Sequence, residues 1–348
     1  MPRVSVIVPV RNEAGNIRRT LLDLARQDFP KHDYEILVVD GSSEDGTPGI
    51  VRALLPSTPN LRLFDNPRRL ASAARNIGVR RAAGEFLVIV DGHCRVRDPL
   101  YLRRIVEAFE ESGSDTLGRP QPLRADSPTP FQRAVAAARR SWLGHNPDSA
   151  IFSDVARFVP ADNVAVAYRR EVFDTVGLFD ESFDACEDVE FNTRVRRAGL
   201  TCYFTPATAV EYQPRGTLGG LAYQMMRYGR GRARLGKKDP ATVTVPGLVP
   251  PVWLVWLAVG PLLGVLSMPL AVLFAASLAA YALLVLAESV RVWRADRVVS
   301  LAWLPLVFAT VHAGFGWGYL REAAAGLAVS PLGVPQRLLP SSRRLLKA

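Results

Sequence analysis

The sequence predicts an α/β fold, a doubly wound sheet with helices on both faces, followed by C-terminal transmembrane helices. Three observations carry this. Up to about residue 215, short apolar runs alternate with amphipathic stretches, the βαβ rhythm of a largely parallel sheet. Residues 86–90, FLVIV, are apolar throughout, as expected of a strand covered on both faces. From residue 240 to 287 there is no Asp, Glu, Lys, Arg or His, and residues 298–320 carry only His312.

The elements follow in order. Residues 4–10, VSVIVPV, open the fold as a first strand, so no cleavable leader is expected before it. A helix at 16–27, a strand at 35–40, a helix at 47–55, a strand at 61–64 and a helix at 71–82 lead to the strand at 86–90. Later strands are expected at 116–118, 163–167 and 202–205, and helices at 100–112, 131–142 and 188–198. The Pro/Gly-rich stretches 118–130 and 145–148 read as loops. This unit takes residues 1–215. In TLGGLAYQMMRYGRGRARL, residues 217–235, the apolar Leu218, Leu221, Ala222, Met225 and Met226 precede an arginine-rich end. That is the pattern of a helix lying on a bilayer surface, so 216–239 are expected to form an interface helix and basic linker. The region 240–322 has room for spans at about 248–266, 269–287 and 298–320, at ~20 residues per crossing, leaving a basic tail at 323–348.

The net charge is +10. No helix-turn-helix, zinc finger or other recognition pattern accompanies it, which argues against nucleic acid as partner. Basic residues cluster beside the apolar runs, at 227–238, 291–297 and 337–347, where they suit anionic lipid headgroups and a cytosolic N-terminal unit. Three spans would then put the basic tail outside, against the positive-inside rule. Cys94, Cys186 and Cys202 have no metal-ligand spacing, and their odd number fits a reducing compartment.

Chemistry gathers at strand ends. Asp91 and His93 follow the strand at 86–90, two residues apart, so both side chains can face one way. A carboxylate and an imidazole at the carboxyl edge of a parallel sheet suit a divalent cation, which usually accompanies a phosphate-bearing ligand there. Glu13 after the first strand and Asp40 after the second converge on the same crevice, and Gly41-Ser42-Ser43 lets backbone approach closely. Asp188 suits a helix N-cap.

VSVIVPVRNE, ILVVDGSSEDGT and ARNIGVRRAAGEFLVIVDGH, in this order, resemble a family 2 glycosyltransferase with the GT-A fold, a Rossmann-like mixed sheet. The resemblance implies a nucleotide-sugar donor held by Pro9, Asn12, Glu13 and Asp40, with Arg75 and Asn76 shaping the nucleotide pocket. It makes Asp91 and His93 the motif for a divalent cation, Mn2+ or Mg2+, at the diphosphate. It implies Asp188 as catalytic base with Glu187 in support, and Asn163 on the acceptor side. Gln224-Met225-Met226-Arg227-Tyr228 resembles the Gln-x-x-Arg-Trp motif of membrane-bound polysaccharide synthases, which implies Arg227 at the diphosphate and Gln224 and Tyr228 toward the acceptor. Two departures stand out: Gly41 where the family often has a second aspartate, and His93 where it often has Asp. Both resemble the branch containing succinoglycan-type exopolysaccharide glucosyltransferases.

The activity implied is inverting transfer of a sugar, with UDP-hexose the expected donor, to a glycan or polyprenyl-linked acceptor. The setting implied is a multi-pass protein of the cell membrane, in contact with its lipids, with the catalytic unit cytosolic. A polyprenyl-phosphate sugar synthase and a catalytically inactive GT-A membrane scaffold remain open as alternatives. A processive synthase is disfavoured, since three spans are few for a polymer channel.

Overall fold

The computed structural model describes residues 1–145 and 149–327. Among them, strands β1 (Val4–Val10), β2 (Tyr34–Asp40), β3 (Leu61–Asp65) and β4 (Phe86–Ile89) form a parallel block in the order β3-β2-β1-β4. Helices α1 (Ile17–Ala25), α2 (Thr47–Leu54) and α3 (Ala71–Arg81) make the crossovers. Beyond β4 come the two-residue β5 (Cys94–Arg95), α4 (Tyr101–Ser112), β6 (Thr116–Gly118), α5 (Pro130–Arg139), β7 (Arg157–Phe158), β8 (Ala165–Arg169), α6 (Arg170–Val176), α7 (Glu187–Arg197), β9 (Cys202–Phe204) and β10 (Glu211–Tyr212). The sheet continues from β4 through β8, β6, β9 and β7, with β8 antiparallel to β4 and to β6. It is therefore mixed. β5 and β10 pair separately, antiparallel.

Alternation along β1 splits the core into two layers. Val4, Val6 and Val8 face one side with Ile17, Leu21, Ile105 and Phe109, whereas Ile7 faces the other with Val79, Phe173 and Phe191. The backbone of Ile7 bonds Val90 at the last rung beside β4, so Pro9, next on that edge, leaves no ladder bond unmade. β1 and β2 end together, at Val10 opposite Asp40, and the loops after them open at the carboxyl edge.

The C-terminal part is helical: α8 (Leu218–Lys238), α9 (Val245–Leu266), α10 (Met268–Ala295) and α11 (Trp303–Leu327). Helices α9 and α10 are long and apolar enough to cross a membrane, with mean hydropathies of 1.9 and 2.5. They leave Val252, Leu262, Val265, Val272 and Leu283 exposed. Two expected elements acquire packing partners. Of the apolar stripe of α8, expected against the bilayer, Leu221 and Met225 are buried among Phe131 and Val135 of α5 and Val307, Phe308 and Val311 of α11, whereas Leu218 is exposed. The run expected as a third span becomes α11, which starts later and lies along α8. A Cβ at Gly229 would strike the Phe315 carbonyl, and one at Gly318 the Met226 carbonyl. Residues 328–348, most of the expected basic tail, lie outside the described residues.

Candidate active site

The loops after β1 and β2 are tied to each other. Asp40 accepts from the Ser43 backbone N–H (3.0 Å) and from Ser43 Oγ (2.6 Å), while Ser43 Oγ accepts from the Asn12 N–H (2.8 Å). Asn12 Oδ1 accepts from the Glu44 N–H at 2.9 Å. Asn12 and Ser42 both hold left-handed backbone, at φ 56° and 55°, which these cross-bonds keep in place. Asp40 is buried, but a carboxylate has lone pairs beyond the two used here. Pro9 is half-buried near the end of β1, opposite Val39 of β2.

Glu13 is committed to an imidazole. Its Oε1 lies 2.8 Å from His93 Nδ1, and its Oε2 accepts from Asn16 Nδ2 at 3.2 Å. Tyr212 of β10 meets the same ring edge-on, with centroids 4.5 Å apart. Burial works against a charged His93, but the Glu13 hydrogen bond and the charges of Glu13 and Asp91 outweigh it, so the imidazole titrates above its ordinary value. His93 Nε2 is buried with no partner among the described residues.

Arg75 links this edge of the site to the far one. From α3 its guanidinium reaches Glu187 at 3.1 Å and Asp91 at 3.8 Å, and it lies over the Phe179 ring at 5.5 Å. Burial opposes the Arg75 charge, yet Glu187, Asp188 and Asp91 together raise its pKa. For Glu187, burial pushes the carboxyl up, Arg75 draws it down and Asp188 adds to the rise; the net direction is upward. Asn76 spends its amide on the next loop, donating to the Phe179 carbonyl (2.9 Å) and Glu181 (2.8 Å) and accepting from the Phe179 N–H (2.9 Å). It thus holds the loop leading to α7.

That loop is clamped from two sides. Ser72 Oγ of α3 donates to the Phe183 carbonyl at 3.0 Å. On the α8 side, Arg227 donates to the Asp184 carbonyl and Arg234 to that of Ser182. A Cβ on Gly231 would lie 2.6 Å from the Ala185 carbonyl and 2.7 Å from Cys186 Sγ, so only glycine lets α8 approach this closely. The N-cap of α7 is Cys186, in left-handed backbone with φ 60°, and Asp188 is the second helical residue. Asp188 is therefore not the cap. Its Oδ1 accepts from the Val189 N–H at 2.9 Å, and no other bond to its carboxylate is present among the described residues.

Of the Gln224–Tyr228 motif, Gln224 Nε2 donates to Tyr228 Oη at 3.3 Å, and Arg227 is turned to the loop before α7. Asn163 closes the short turn Ala161–Asn163, but its side chain lies outside the described set.

The model of the family described as Glycosyl transferase family 2 matches residues 5–177. Succinoglycan biosynthesis protein ExoA of Rhizobium meliloti (strain 1021) is 33% identical over 245 residues, 70% of this chain and 72% of that one. The chain belongs to glycosyl transferase family 2. Glycosyltransferase AglE of Haloferax volcanii is 30% identical over 240 residues, covering 69% of this chain and 76% of that one. Among solved structures, the mannosyltransferase PcManGT from Pyrobaculum calidifontis, in complex with GDP-Man and Mn2+, matches with a TM-score of 0.59 at 23% identity, over 89% of this chain and 87% of that one. The mixed sheet is the GT-A fold, and the protein is a glycosyltransferase.

For this glycosyltransferase the sequence reading missed three neighbours of the motif residues. Tyr212 reaches His93 because β10 pairs with β5, a contact between two-residue strands more than a hundred residues apart. Arg139 and Arg215 both act electrostatically on Tyr212 and Tyr228. Nothing local marks either arginine in a chain this rich in them.

Proposed function

We propose that this protein is an inverting, membrane-anchored glycosyltransferase that moves a sugar from a nucleotide-sugar donor, a UDP-hexose on the sequence reading, to a lipid-linked or polysaccharide acceptor at the cytosolic membrane face. The observation that carries this is Arg75, which couples Asp91 at the end of β4 to Glu187 beside Asp188, so that donor and acceptor edges share one rigid span. The relative named for succinoglycan biosynthesis, and the fold neighbour holding GDP-Man, support the substrate class.

Among the described residues no group of three or more His, Cys, Asp or Glu side chains could hold a metal ion. Two donors nevertheless fit one. His93 presents an unpartnered Nε2 while Glu13 holds Nδ1, the carboxylate-backed arrangement of a ligating imidazole, and Asp91 is half-buried beside it. Hard divalent cations commonly take one or two protein ligands and fill the rest from substrate phosphates. When bound, such a cation would neutralise charge on the departing diphosphate. His93 in place of a carboxylate favours Mn2+ over Mg2+.

Asp188 is the base. Inverting transfer needs one group to take the acceptor hydroxyl proton during attack, and Asp188 is aimed by the α7 N-terminus with most of its carboxylate unbonded. Glu187, buried and held by Arg75, fixes the helix start rather than accepting that proton. Arg227 and Arg234 hold the loop that sets the height of Asp188. In the membrane, α9 and α10 would act as a hairpin that returns the chain to the cytosolic side. That leaves α11 beside α8 and keeps the basic C-terminal residues inside, in line with the charge rule.

The test is a hydrolysis and transfer screen over nucleotide-sugars with Mn2+, the product anomer read by NMR. One preferred donor and an inverted linkage are expected. Retention of configuration would overturn the mechanism, transfer to a lipid monophosphate would assign a polyprenyl-phosphate sugar synthase instead, and inertness toward every donor would leave the scaffold reading.

A further inference from the structure

The loop that leads to the base is held by α8, and α8 is in turn steered from behind by α11. Arg234 of α8 donates from Nε to Glu322 Oε1 of α11 at 2.8 Å and from Nη1 to the Ser182 carbonyl at 2.5 Å, with Asp184 Oδ1 at 3.6 Å. Arg230, one turn earlier, repeats the arrangement more loosely: its Nε lies 3.5 Å from Glu322 Oε2 and its Nη1 3.4 Å from Asp184 Oδ2. Lys237 Nζ donates to the Glu322 backbone carbonyl. Both guanidiniums therefore turn Nε to one carboxylate on α11 and Nη1 to the loop before α7. The donors of a guanidinium form a rigid planar fork, so a partner at Nε fixes where Nη1 points. Glu322 also supplies charge. Arg230 and Arg234 stand one turn apart on α8, where like charges repel, and the single carboxylate of Asp184 offsets only one of them. The Glu322 side chain is 13% exposed, so water screens its pairing less than it would a bridge on the open surface.

What this network holds is the start of α7. Ser182 and Asp184 precede Glu187 and Asp188 in one short loop, which Arg227 and the close contact of Gly231 also fasten to α8. Behind Glu322, α11 is seated on the first apolar helix: a Cβ on Gly316 would lie 2.7 Å from the Pro250 carbonyl of α9. A continuous path of contacts thus runs from α9 through α11 and the two arginines to the loop before Asp188. The donor edge stands on β1, β2 and β4, elements outside this path. We propose that Glu322 is a positioning residue for the transfer reaction: by directing Arg230 and Arg234 onto the loop, it registers Asp188 against the apolar helices. This rests on Asp188 being the base, as proposed above.

The experiment uses the full chain in detergent with Mn2+ and the donor and acceptor found in the screen above. Calorimetry with UDP or GDP, whichever binds, counts the intact nucleotide sites. Glu322→Ala should lower turnover per nucleotide site about ten- to hundredfold, the scale of a misplaced catalytic group. Donor KM and nucleotide affinity should hold. Glu322→Gln, which keeps the shape and one acceptor oxygen, should show a smaller fall of the same kind, and it carries the test if the alanine variant does not fold. In an Asp188→Asn background, Glu322→Ala should change the residual rate less than about threefold, because a residue acting through the base then has nothing left to position. Wild-type turnover of Glu322→Ala beside a collapse in Asp188→Asn would overturn the role of Glu322 alone. A double variant that loses the product of the two single losses would also overturn it and assign Glu322 to general packing, as would an equal fall in nucleotide affinity. Asp188→Asn turning over near the wild-type rate, or a wild type inert toward every donor, would instead remove the base reading and this inference with it.

Discussion

Arg75→Met tests whether the span between the two edges of the site is held by charge. The side chain is 9% exposed and Glu187 is 7% exposed, so solvent screens the 3.1 Å pair little. Removing one partner of a buried pair costs about 3–5 kcal/mol, because the other charge is left uncompensated. For a domain of this size that is a fall in Tm of about 10 °C. The cost depends on pH with a definite sign. Glu187 already titrates above the ordinary carboxylate value, with burial as the main cause, and without Arg75 it would rise further. In the unfolded chain the same group titrates near ~4.3. A folded-state pKa raised above that value gives stability that is full below about pH 4.3 and is lost as the pH climbs toward the folded value. The Tm deficit of Arg75→Met relative to wild type should therefore be small at about pH 4.5 and widen toward neutrality. Adding Glu187→Gln should restore much of the loss at neutral pH. The assay is thermal unfolding in detergent across that range. A deficit independent of pH, or a double variant no more stable than Arg75→Met, would refute the reasoning.

Three further outcomes are expected. Asp188→Asn keeps the size of the side chain but cannot take a proton, so turnover should fall by ~10²–10⁴-fold while calorimetry with the nucleoside diphosphate changes little; turnover near wild type would move the base elsewhere. Asp91→Ala should abolish most transfer even at saturating Mn2+, and His93→Asp should stay active and shift preference toward Mg2+; unchanged metal preference would remove His93 from the ligands. Truncation after Asp239 removes α11 and uncovers Leu221, Met225, Phe131 and Val135, so the fragment should aggregate or bind apolar dye; a monodisperse soluble fragment would contradict the packing of α8.

The sequence by itself determined the parallel block and which candidate residues stand at its carboxyl edge. Strands β1, β2 and β4 are largely apolar runs, and Glu13, Asp40 and Asp91 lie at or within a few residues of their ends, so element type and crevice can be read from local pattern. The same holds for α9 and α10, whose apolar character needs no partner to be recognised. Partnership was not legible. The stripe of α8 reads the same whether lipid or protein covers it, and it is the close approach of α8 to α11, at Gly229 of the one and Gly318 of the other, that covers Leu221 and Met225 with protein. Glu13, expected at the nucleotide, is bonded to His93, eighty positions away, a partner no local pattern announces. Arg75 joins Asp91 to Glu187 over a still longer separation, and Tyr212 reaches His93 only through the β5–β10 pairing. Local sequence encodes which face of an element is apolar and where a strand stops. Which buried charge meets which is settled by the energy of withdrawing both from water together, and that depends on the packed neighbours each has in three dimensions.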